Sequence, residues 1–470
     1  MIHSHRFTLD QFAPITIYEK LKELFPSEIS FLFESAGNSN GNYTIIALGA
    51  RERLSYSEGI AHYCDFDGNN TVLSESPFEF LKRYYRRCDR DYYRAQSKEL
   101  EVGYVDGFIG YIGYDMVQVF EPTLTKSMNH LVDQTEIPDM DLILPKLVVV
   151  VSHKHSTITL ITTLSTMNEQ FGMIENELKS TYHYTPLIPI QNDQGGDFIY
   201  TKDQFFEMVD RSKEMIRSGD VFQILMTNRY IRNATVDPFS FYRVLRIKNP
   251  SPYMYLMEYG PFSIVGSSPE VMVRLDDGDI LLRPIAGTRK RGVNKQRDLE
   301  LEEELLADPK ELAEHLMLID LGRNDVGRVA KTGTVRVEEM MHVERYSHVM
   351  HIVSDVHAQL RDDKDMFDLL AATFTAGTMT GAPKIRAMEL IAQFEGVKRG
   401  FYSGTIGYFG FDGNMDTAIT IRTALIKPDK IILQAGAGIV ADSVHELEYL
   451  EVTNKLGALT STLNDLTKPQ

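Results

Sequence analysis

The sequence predicts an α+β fold built mainly from antiparallel strands, and three features of its 470 residues predict it. Runs of β-branched and aromatic residues follow one another with short polar turns between them, as consecutive antiparallel strands require. Helical segments are interspersed without the regular strand–helix alternation of a parallel sheet. The composition is 43% hydrophobic and 24% charged, which is typical of a folded globular chain of this size.

Strand-like runs dominate the first part of the chain. The last two are rich in β-branched residues and are joined by the polar segment HKH, which predicts a hairpin. Helices are expected over 76–90 and 167–180. The strand-like runs are SFLFES (30–35), YTIIALGA (43–50), GFIGYIGYDM (107–116), LILPKLVVVVS (142–152) and STITLITTLS (156–165).

The segment TYHYTPLIPIQNDQGGDF, residues 181–198, separates two parts of the chain that differ in their predicted secondary structure. It contains two prolines, two glycines and mostly polar residues between them, a composition typical of a linker. We therefore expect two structural regions, 1–185 and 196–465.

Helices and strands mix in the second region. A helix is expected to begin at Pro383, because a proline fits the first turn. The other expected helices cover 201–218, 297–319, 364–371 and 443–460, and the expected strands cover 222–231, 262–274, 279–284, 404–411, 416–426 and 430–435.

Charge and cysteine content exclude several functional classes. The formal net charge is −17, whereas a duplex nucleic-acid binder needs a basic surface. The two cysteines, Cys64 and Cys88, are too few for a disulfide scaffold or a cysteine-rich metal site. The N-terminal segment lacks the apolar core of a signal peptide, and no apolar run reaches the length of a membrane span. We expect a cytoplasmic protein with no nucleic-acid or membrane partner.

Two pairs of glutamates occur at helical i,i+3 spacing. Glu311 and Glu314 share one helix face, and Glu448 and Glu451 share another, with Lys455 one turn further on. Each pair taken alone is typical of a solvated helix face. Two such pairs without a His or Cys cluster also suit a cation that prefers oxygen ligands, such as Mg²⁺.

Two glycine segments follow predicted strands. In PIAGT, residues 284–288, a short Gly-Thr loop offers N–H groups and a hydroxyl to an anion. In QAGAGIVAD, residues 434–442, Gly436 and Gly438 suit either a tight turn or a close backbone approach to a carboxylate. The latter segment is not a dinucleotide fingerprint, because 28 residues after Asp442 are too few to complete such a domain.

Several other polar residues have both structural and functional interpretations. His348 and His351 share a helix face at i,i+3, or lie on opposite faces if the segment is extended. Arg422 lies among β-branched residues and needs an anionic partner, either a structural carboxylate or a ligand. Neither cysteine lies in a nucleophile-like glycine context, so covalent acyl chemistry is not expected.

Six long segments resemble the signatures of anthranilate synthase component I, a branch of the chorismate-utilising enzyme family. They occur in order over about 196–456, and the N-terminal part resembles the family's regulatory portion more loosely through FLFES and YIGYD. The resemblance implies two mainly antiparallel sheets packed face to face with helices on the outside. The segments are PIAGTRKRG, AEHLMLIDLGRNDVGRV, RYSHVMHIVSD, GTMTGAPKIRAMELI, FDGNMDTAITIRTA and QAGAGIVADSVHELEYLEVTNK.

The resemblance implies an Mg²⁺-dependent lyase that makes anthranilate and pyruvate from chorismate and ammonia, the first step of tryptophan biosynthesis. It implies Mg²⁺ at Glu314 and Glu451, with Glu311 and Glu448 supporting. Glu270 would protonate the departing ring hydroxyl, and His351 and Thr288 would assist catalysis. The implied substrate-binding residues are Gly287, Thr288, Tyr402, Arg422, Gly436, Ala437, Gly438 and Lys455.

Two positions favour anthranilate synthesis within the family. Ala286 stands where many aminodeoxychorismate synthases carry a nucleophilic Lys, and Gln223 stands where isochorismate synthases carry a water-activating Lys. Aminodeoxychorismate synthase component I, an enzyme of the folate pathway, remains the alternative, since some members lack that Lys. A catalytically inactive ligand sensor or subunit scaffold is a third interpretation, disfavoured by the four glutamates and the intact glycine segments.

The resemblance also implies a partner and a regulator. The ammonia would come from a separate glutamine amidotransferase subunit, because this chain has no amidotransferase-like Cys motif. Feedback inhibition by L-tryptophan would use Ser35 together with Pro252, Tyr253 and Met254. Asn42 replaces an Arg that many family members carry after the Ser element.

Overall fold

The computed structural model describes residues 1–26, 28–35, 43–346 and 349–467. Asn42 and His348, both considered above, lie outside these residues. Within them the chain forms 22 β-strands and 14 α-helices. The expected α+β class is confirmed.

The strands are β1 (His3–Thr8), β2 (Ser30–Glu34), β3 (Tyr43–Ser57), β4 (Ile60–Cys64), β5 (Asn70–Val72), β6 (Gly107–Ile112), β7 (Met140–Ser152), β8 (Thr157–Thr162), β9 (Gly196–Phe198), β10 (Gln223–Asn233), β11 (Tyr253–Glu258), β12 (Ser263–Ser268), β13 (Val271–Asp276), β14 (Asp279–Leu282), β15 (Ile285–Lys290), β16 (Arg336–Arg345), β17 (Val349–Gln359), β18 (Gly381–Ala382), β19 (Thr405–Gly410), β20 (Met415–Ile419), β21 (Thr423–Ile426) and β22 (Lys430–Ile439).

The helices are α1 (Pro14–Leu24), α2 (Pro77–Tyr85), α3 (Arg90–Leu100), α4 (Val117–Phe120), α5 (Thr125–Met128), α6 (Ser165–Asn168), α7 (Phe171–Leu178), α8 (Lys202–Arg217), α9 (Pro238–Lys248), α10 (Lys295–Ala307), α11 (Pro309–Gly327), α12 (Met366–Thr373), α13 (Lys384–Glu395) and α14 (His445–Leu466).

Antiparallel pairing joins all the ladders between the described strands. The predicted hairpin is present, with Ser152 on β7 opposite Thr157 on β8. The longest ladder among them, between β3 and β7, pairs Tyr43 with Ser152 at one end and Tyr56 with Met140 at the other.

Strands from the two predicted regions pair directly with each other. On β2 and β11, Glu34 lies opposite Met254. On β6 and β19, Gly110 lies opposite Gly407. The segments on either side of residues 181–198 therefore contribute to one hydrogen-bonded network, and pairing between them depends on contacts far apart in sequence.

Side chains that alternate along the strands enter two different apolar clusters. On β3, Ile45 and Ala47 belong to one cluster, whereas Ile46 and Leu48 belong to the other. This is the period-two alternation of a strand whose two faces are both covered. The second cluster includes residues of α1, α7, α8, α9, α13 and α14, so helices cover one face.

Three long predicted elements are each divided in the structure, and all three divisions bear on the site. The helix expected over 297–319 ends before Pro309, where Asp308 caps a new helix, α11. The strand expected over 262–274 is interrupted at Pro269 and Glu270. The strand expected over 416–426 is interrupted before Arg422, whose φ is +50°.

Other sequence-based boundaries also needed correction. Pro383 is the residue before α13, not a residue of its first turn. Residues 285–290, expected to form a loop, form strand β15, and the strand expected over 430–435 continues through Ile439. Helices α1 and α9 and strands β11, β16 and β17 were not predicted. Across the described ranges, no helix is both long enough and apolar enough to cross a membrane.

Candidate active site

Glu270 lies in the break between β12 and β13, where its side chain turns away from the strand ladder into a buried environment. The hydroxyl of Thr378 donates to Glu270 Oε1 at 2.8 Å. Burial raises the pKa of Glu270 to about 7, and the positive charges of Lys455 and Arg422 oppose that rise. A carboxyl group with such a pKa is half protonated near neutral pH, as a general acid requires.

Arg422 brings a buried positive charge to the same place. Burial lowers the pKa of its guanidinium group, against the favourable charges of Glu270 and Tyr346. The structural carboxylate considered above as its partner is not found: in the described part of the chain no hydrogen bond or ion pair is formed by this guanidinium. A buried cation without a partner is costly, so this group is suited to binding an anion.

His351 lies on β17 opposite a bulge in β15. Its Nδ1 is 3.0 Å from the carbonyl oxygen of Gly287 and 3.1 Å from Thr288 Oγ1. Burial, together with the charges of Arg422 and Lys455, lowers the pKa of His351 to about 4, so the imidazole is neutral at pH 7.

Gly287 forms that bulge, with φ at +65°, which favours glycine. A Cβ at this position would lie 3.2 Å from Glu311 Oε2. The expected Gly-Thr loop is therefore wrong as a loop, since the segment pairs with β17, but the bulge does place these residues beside His351 and Glu311.

The glycine segment of β22 is extended and pairs with β10, so a tight turn is wrong. Lys455 Nζ donates to the carbonyl oxygen of Gly436 at 2.9 Å. A backbone hydrogen bond from Gly436 also lowers the pKa of the Tyr402 phenol, although burial keeps that pKa above its ordinary value. A Cβ on Gly438 would lie 2.6 Å from Gln223 Nε2. Ala437 lies between the two glycines and is buried.

Carboxylates of α11 and α14 are close enough to influence each other electrostatically. Gln223 Nε2 donates to Glu314 Oε1 at 3.1 Å. Burial raises the pKa of Glu314, and the negative charges of Glu311 and Glu451 raise it further. Burial likewise raises the pKa of Glu448, with Glu451 adding to the rise. The negative charge of Glu451 thus acts on both Glu314 and Glu448.

Basic side chains already neutralise part of this acidic group. Glu451 pairs with Lys455 at 2.7 Å, and Glu311 pairs with Arg289 at 3.1 Å. Among the described residues, no three His, Cys, Asp or Glu side chains are grouped closely enough to form a complete metal site.

A large cavity, of about 1030 Å³, lies between the two parts of the chain. Ser35 lines it, and so do the consecutive residues Pro252, Tyr253 and Met254, which lie far from Ser35 in sequence. The β2–β11 ladder brings them together, and the Tyr253 hydroxyl donates to Asp416 at 2.9 Å. The predicted inhibitor residues therefore share one cavity.

Comparison with known proteins then assigns the chain to a family. A family model described as "chorismate binding enzyme" matches residues 30–461, which is most of the chain. The chain belongs to the chorismate binding enzyme family. The family assignment made from the sequence motifs is confirmed.

Relatives within the family include several called anthranilate synthase component 1. The one from Acinetobacter calcoaceticus is 42% identical over 465 residues, which cover 96% of this chain and 92% of the relative. The one from Aquifex aeolicus is 40% identical over 475 residues, covering 97% and 93%.

Solved structures show the same fold. Anthranilate synthase component I from Streptococcus pneumoniae matches with a TM-score of 0.79 and 33% identity, covering 90% of this chain and 93% of that one. The menaquinone-specific isochorismate synthase MenF from Escherichia coli matches with a TM-score of 0.72 but 19% identity, covering 98% and 95%. This second likeness concerns the fold alone.

Sequence reasoning missed three contributors to the site of this chorismate binding enzyme. Thr378 binds the Glu270 carboxylate, whereas in the sequence its segment, GTMTGAPKIRAMELI, was noted only as one of the family motifs. Gln223 was noted for the absence of a Lys, whereas its amide orients Glu314. The ring of Tyr346 lies edge-on to His351 at 5.5 Å. The RYSH motif offered a signal for Tyr346, but no local pattern pointed to the hydrogen bond of Gln223.

Proposed function

We propose that this chain catalyses the amination of chorismate by ammonia and the elimination of pyruvate to give anthranilate, the first step of tryptophan biosynthesis. The observation that carries the proposal is the proximity of a buried acid to a free cation. Glu270 has a pKa of about 7, and the nearby Arg422 guanidinium forms no hydrogen bond or ion pair with the described residues. A dianionic substrate with a poor leaving group needs both. The shared ancestry with anthranilate synthases supports this lyase activity.

The residues at the site edge fit Mg²⁺. Glu314 and Glu451 would hold the ion, directly or through water, with Glu311 and Glu448 supporting. Mg²⁺ commonly binds through one or two carboxylates, several waters and an oxygen of the substrate, so an incomplete protein cage suits it. The repulsion that raises the pKa of Glu314 supports a cation there. When bound, the ion neutralises part of the charge of the substrate's ring carboxylate.

Chorismate would be oriented by donors on both sides of the ring. Arg422 offers a fork of N–H donors to one carboxylate, and Lys455 adds a second positive charge. Tyr402 is buried, and its hydroxyl interacts with the backbone of Gly436. The remaining lining residues are Gly287, Thr288, Gly436, Ala437 and Gly438.

The chemistry assigned to this chain's residues is proton transfer in two stages. Glu270 gives its proton to the departing ring hydroxyl, which leaves as water while ammonia adds to the ring. His351 donates through Nδ1 to the Gly287 carbonyl, so Nε2 has a lone pair at neutral pH. That neutral imidazole is suited to assist the loss of pyruvate, which is driven by aromatisation.

Ammonia would reach the site from a glutamine amidotransferase subunit. Neither Ala286 nor Gln223 provides an amine that could attack the ring, so ammonia itself is the proposed nucleophile. The chain alone would then require added ammonium salt. A cytoplasmic location is part of the same proposal.

L-Tryptophan is the proposed regulator, bound in the 1030 Å³ cavity lined by Ser35, Pro252, Tyr253 and Met254. An indole ring with an amino-acid group is much smaller than this cavity and matches its mixture of aromatic and acidic side chains. Titration of tryptophan against the rate of product formation tests the assignment. A rate independent of tryptophan at millimolar concentration would contradict it.

The strand network would form two sheets packed face to face with helices outside. The alternation of β3 side chains between two apolar clusters supports this arrangement, since each strand face then has its own layer. The helices of the second cluster would form the outer layer on that side.

The deciding experiment incubates the pure chain with chorismate, Mg²⁺ and ammonium and identifies products by mass. Anthranilate with an equal amount of pyruvate is the expected result. An amino product that retains the pyruvyl group would instead indicate the folate-pathway alternative, aminodeoxychorismate synthase. No conversion under these conditions would favour the sensor or scaffold interpretation.

A further inference from the structure

A small cavity adjoins Glu270, and neither Lys455 nor Arg422 is among the residues that line it. Its volume is about 30 Å³. The polar residues that line it are Glu270, Thr378, Asp325 and Arg283. The rest of its wall comes from backbone and apolar side chains of β13, β14, α11 and the segment before α13.

The cavity is large enough for water and polar enough to hold it. One buried water needs about 10–15 Å³ and two to four polar partners. Glu270, Asp325, Thr378 and Arg283 are the lining residues with polar side chains available to such a water. The Thr378 hydroxyl also donates to Glu270, and Arg283 also pairs with Glu344 and Asp355. Arg283 and Val271 also line the 1030 Å³ cavity, so the small cavity adjoins a larger space that is accessible to solvent.

Asp325, which lines the small cavity, belongs to a buried ion pair. Asp325 Oδ2 lies 2.5 Å from Lys384 Nζ, and both side chains are close to nine-tenths buried. Burial raises the pKa of Asp325, against the charges of Lys384 and Arg328. Neither residue touches the substrate-lining set described above, and the proposed chemistry leaves both without a role.

The proposed reaction requires proton movement that the substrate side does not provide. Ammonia gains a bond at one ring carbon and must lose a proton there, whereas Glu270 loses its proton to a hydroxyl at another carbon. Glu270 is thus left ionised after each turnover. A route through the small cavity, which neither Lys455 nor Arg422 lines, would restore the proton.

We propose that water in the small cavity, together with Asp325, returns a proton to Glu270 after each turnover. This proposal rests on the proposed function of Glu270. A proton from solvent is held transiently by the Asp325 carboxylate, the cavity water takes it, and the same water gives a proton to Glu270. Asp325 ends as carboxylate, Glu270 ends as acid, and the proton released from the new amine returns to solvent.

Gly322 provides a variant that blocks the route without removing a charge. It lines the cavity, and a Cβ there would meet Leu282 Cδ2 at 2.9 Å, pushing that flexible side chain inward. Gly322→Ala also favours the helical state of α11 by up to about 1 kcal/mol, so the variant is expected to fold. Gly327→Ala is the matched control, because it is on the same helix with nothing within 4 Å of its Cβ.

The full-length chain is assayed with chorismate, Mg²⁺ and ammonium in two regimes. With enzyme in excess at a pH below 7, most of the Glu270 carboxyl groups start protonated, so Gly322→Ala should convert chorismate to anthranilate at the wild-type rate. Under steady-state turnover kcat should fall about 10²-fold, the lower end of one general acid–base contribution. KM for chorismate should stay unchanged, and the steady-state rate should acquire a D₂O effect that the control lacks.

Asp325→Asn gives an independent measurement, with Asp320→Asn, an exposed position on the same helix, as its control. Asp325→Asn should likewise keep the wild-type single-turnover rate and lower the steady-state kcat. Wild-type steady-state rates in both cavity variants would overturn the relay, as would an equal loss in both regimes. Failure of the proposed function is distinguishable, because the wild-type chain would then make no anthranilate at all.

Discussion

Glu270 and Arg422 show how burial prepares two side chains in opposite ways. Burial raises the pKa of the carboxyl group to about 7 and lowers the pKa of the guanidinium group, so it disfavours the charged form of each. The two charges partly offset each other without forming a direct ion pair. The free site therefore keeps an acid that is ready to donate and a cation that is ready to accept an anion.

At the scale of this residue, the pKa of Glu270 predicts a pH dependence. Because the folded pKa is raised from 4.5 to about 7, the donor form is lost as pH rises through 7, and kcat should fall on that limb. Glu270→Gln should reduce kcat by about 10²–10⁴ and remove the limb. A pH–rate profile measured with saturating chorismate, Mg²⁺ and ammonium checks both, and an unchanged limb in the variant would reassign it to another group.

Arg422 gives a prediction in which affinity and stability change in opposite directions. Arg422→Gln removes a buried charge that has no partner in the described chain, so the melting temperature of the free protein should be unchanged or higher. KM for chorismate should rise at least about tenfold, because a charged hydrogen bond contributes roughly 1.5–3 kcal/mol. Lower stability together with an unchanged KM would identify Arg422 as a structural residue instead.

At the scale of elements, helices were easier to predict than strands. The i,i+3 spacing of Glu311 and Glu314 is local, so it was visible in sequence, and both do lie on one helix. The break before Pro309 was missed, although the proline itself was a local signal for it. Strands β15 and β17 depend on each other across some sixty residues, as the Thr288–His351 pair shows. No local pattern reports such a partner, and the glycines of β15 and β22 suggested turns.

The glutamates of helices α11 and α14 give a prediction of how the Mg²⁺ dependence of the rate responds to mutation. Glu451→Ala should raise the Mg²⁺ concentration for half-maximal rate by more than about tenfold and lower kcat, because carboxylate ligands dominate binding of hard cations. Glu446→Ala, in the first turn of the same helix, is the control and should behave as wild type. The rate is followed by anthranilate fluorescence over a Mg²⁺ series. Equal Mg²⁺ requirements in the two variants would remove Glu451 from the metal site.

The close packing of β10 against β22 predicts the effect of one methyl group. Gly438→Ala places a Cβ 2.6 Å from Gln223 Nε2, so the Gln223 amide must move away from Glu314. Activity should fall at low Mg²⁺ and recover partly at high Mg²⁺, since Glu314 loses orientation but not its charge. Gly457→Ala on α14 has nothing within 4 Å and is the control. Activity loss that Mg²⁺ does not relieve would indicate blocked substrate binding instead.

At the scale of the whole molecule, an acidic chain builds a local basic site. The net charge is −17, yet Arg422 and Lys455 face Glu270. Local potential decides ligand binding, whereas net charge governs solubility and non-specific association. Composition therefore disfavoured nucleic acid but left the substrate undetermined, and the long motifs supplied that information.

The pairing of distant strands predicts that the two sequence regions depend on each other for folding. A fragment of residues 186–470 would leave β11 without β2 and β19 without β6, exposing the unpaired edges of two buried strands. Expressed alone it should aggregate or lack a cooperative thermal transition. Co-expressed with residues 1–185 it should give a soluble complex that elutes with the intact chain and restores ammonium-dependent activity. Cooperative unfolding of the 186–470 fragment alone would instead show that 196–465 is an independent domain.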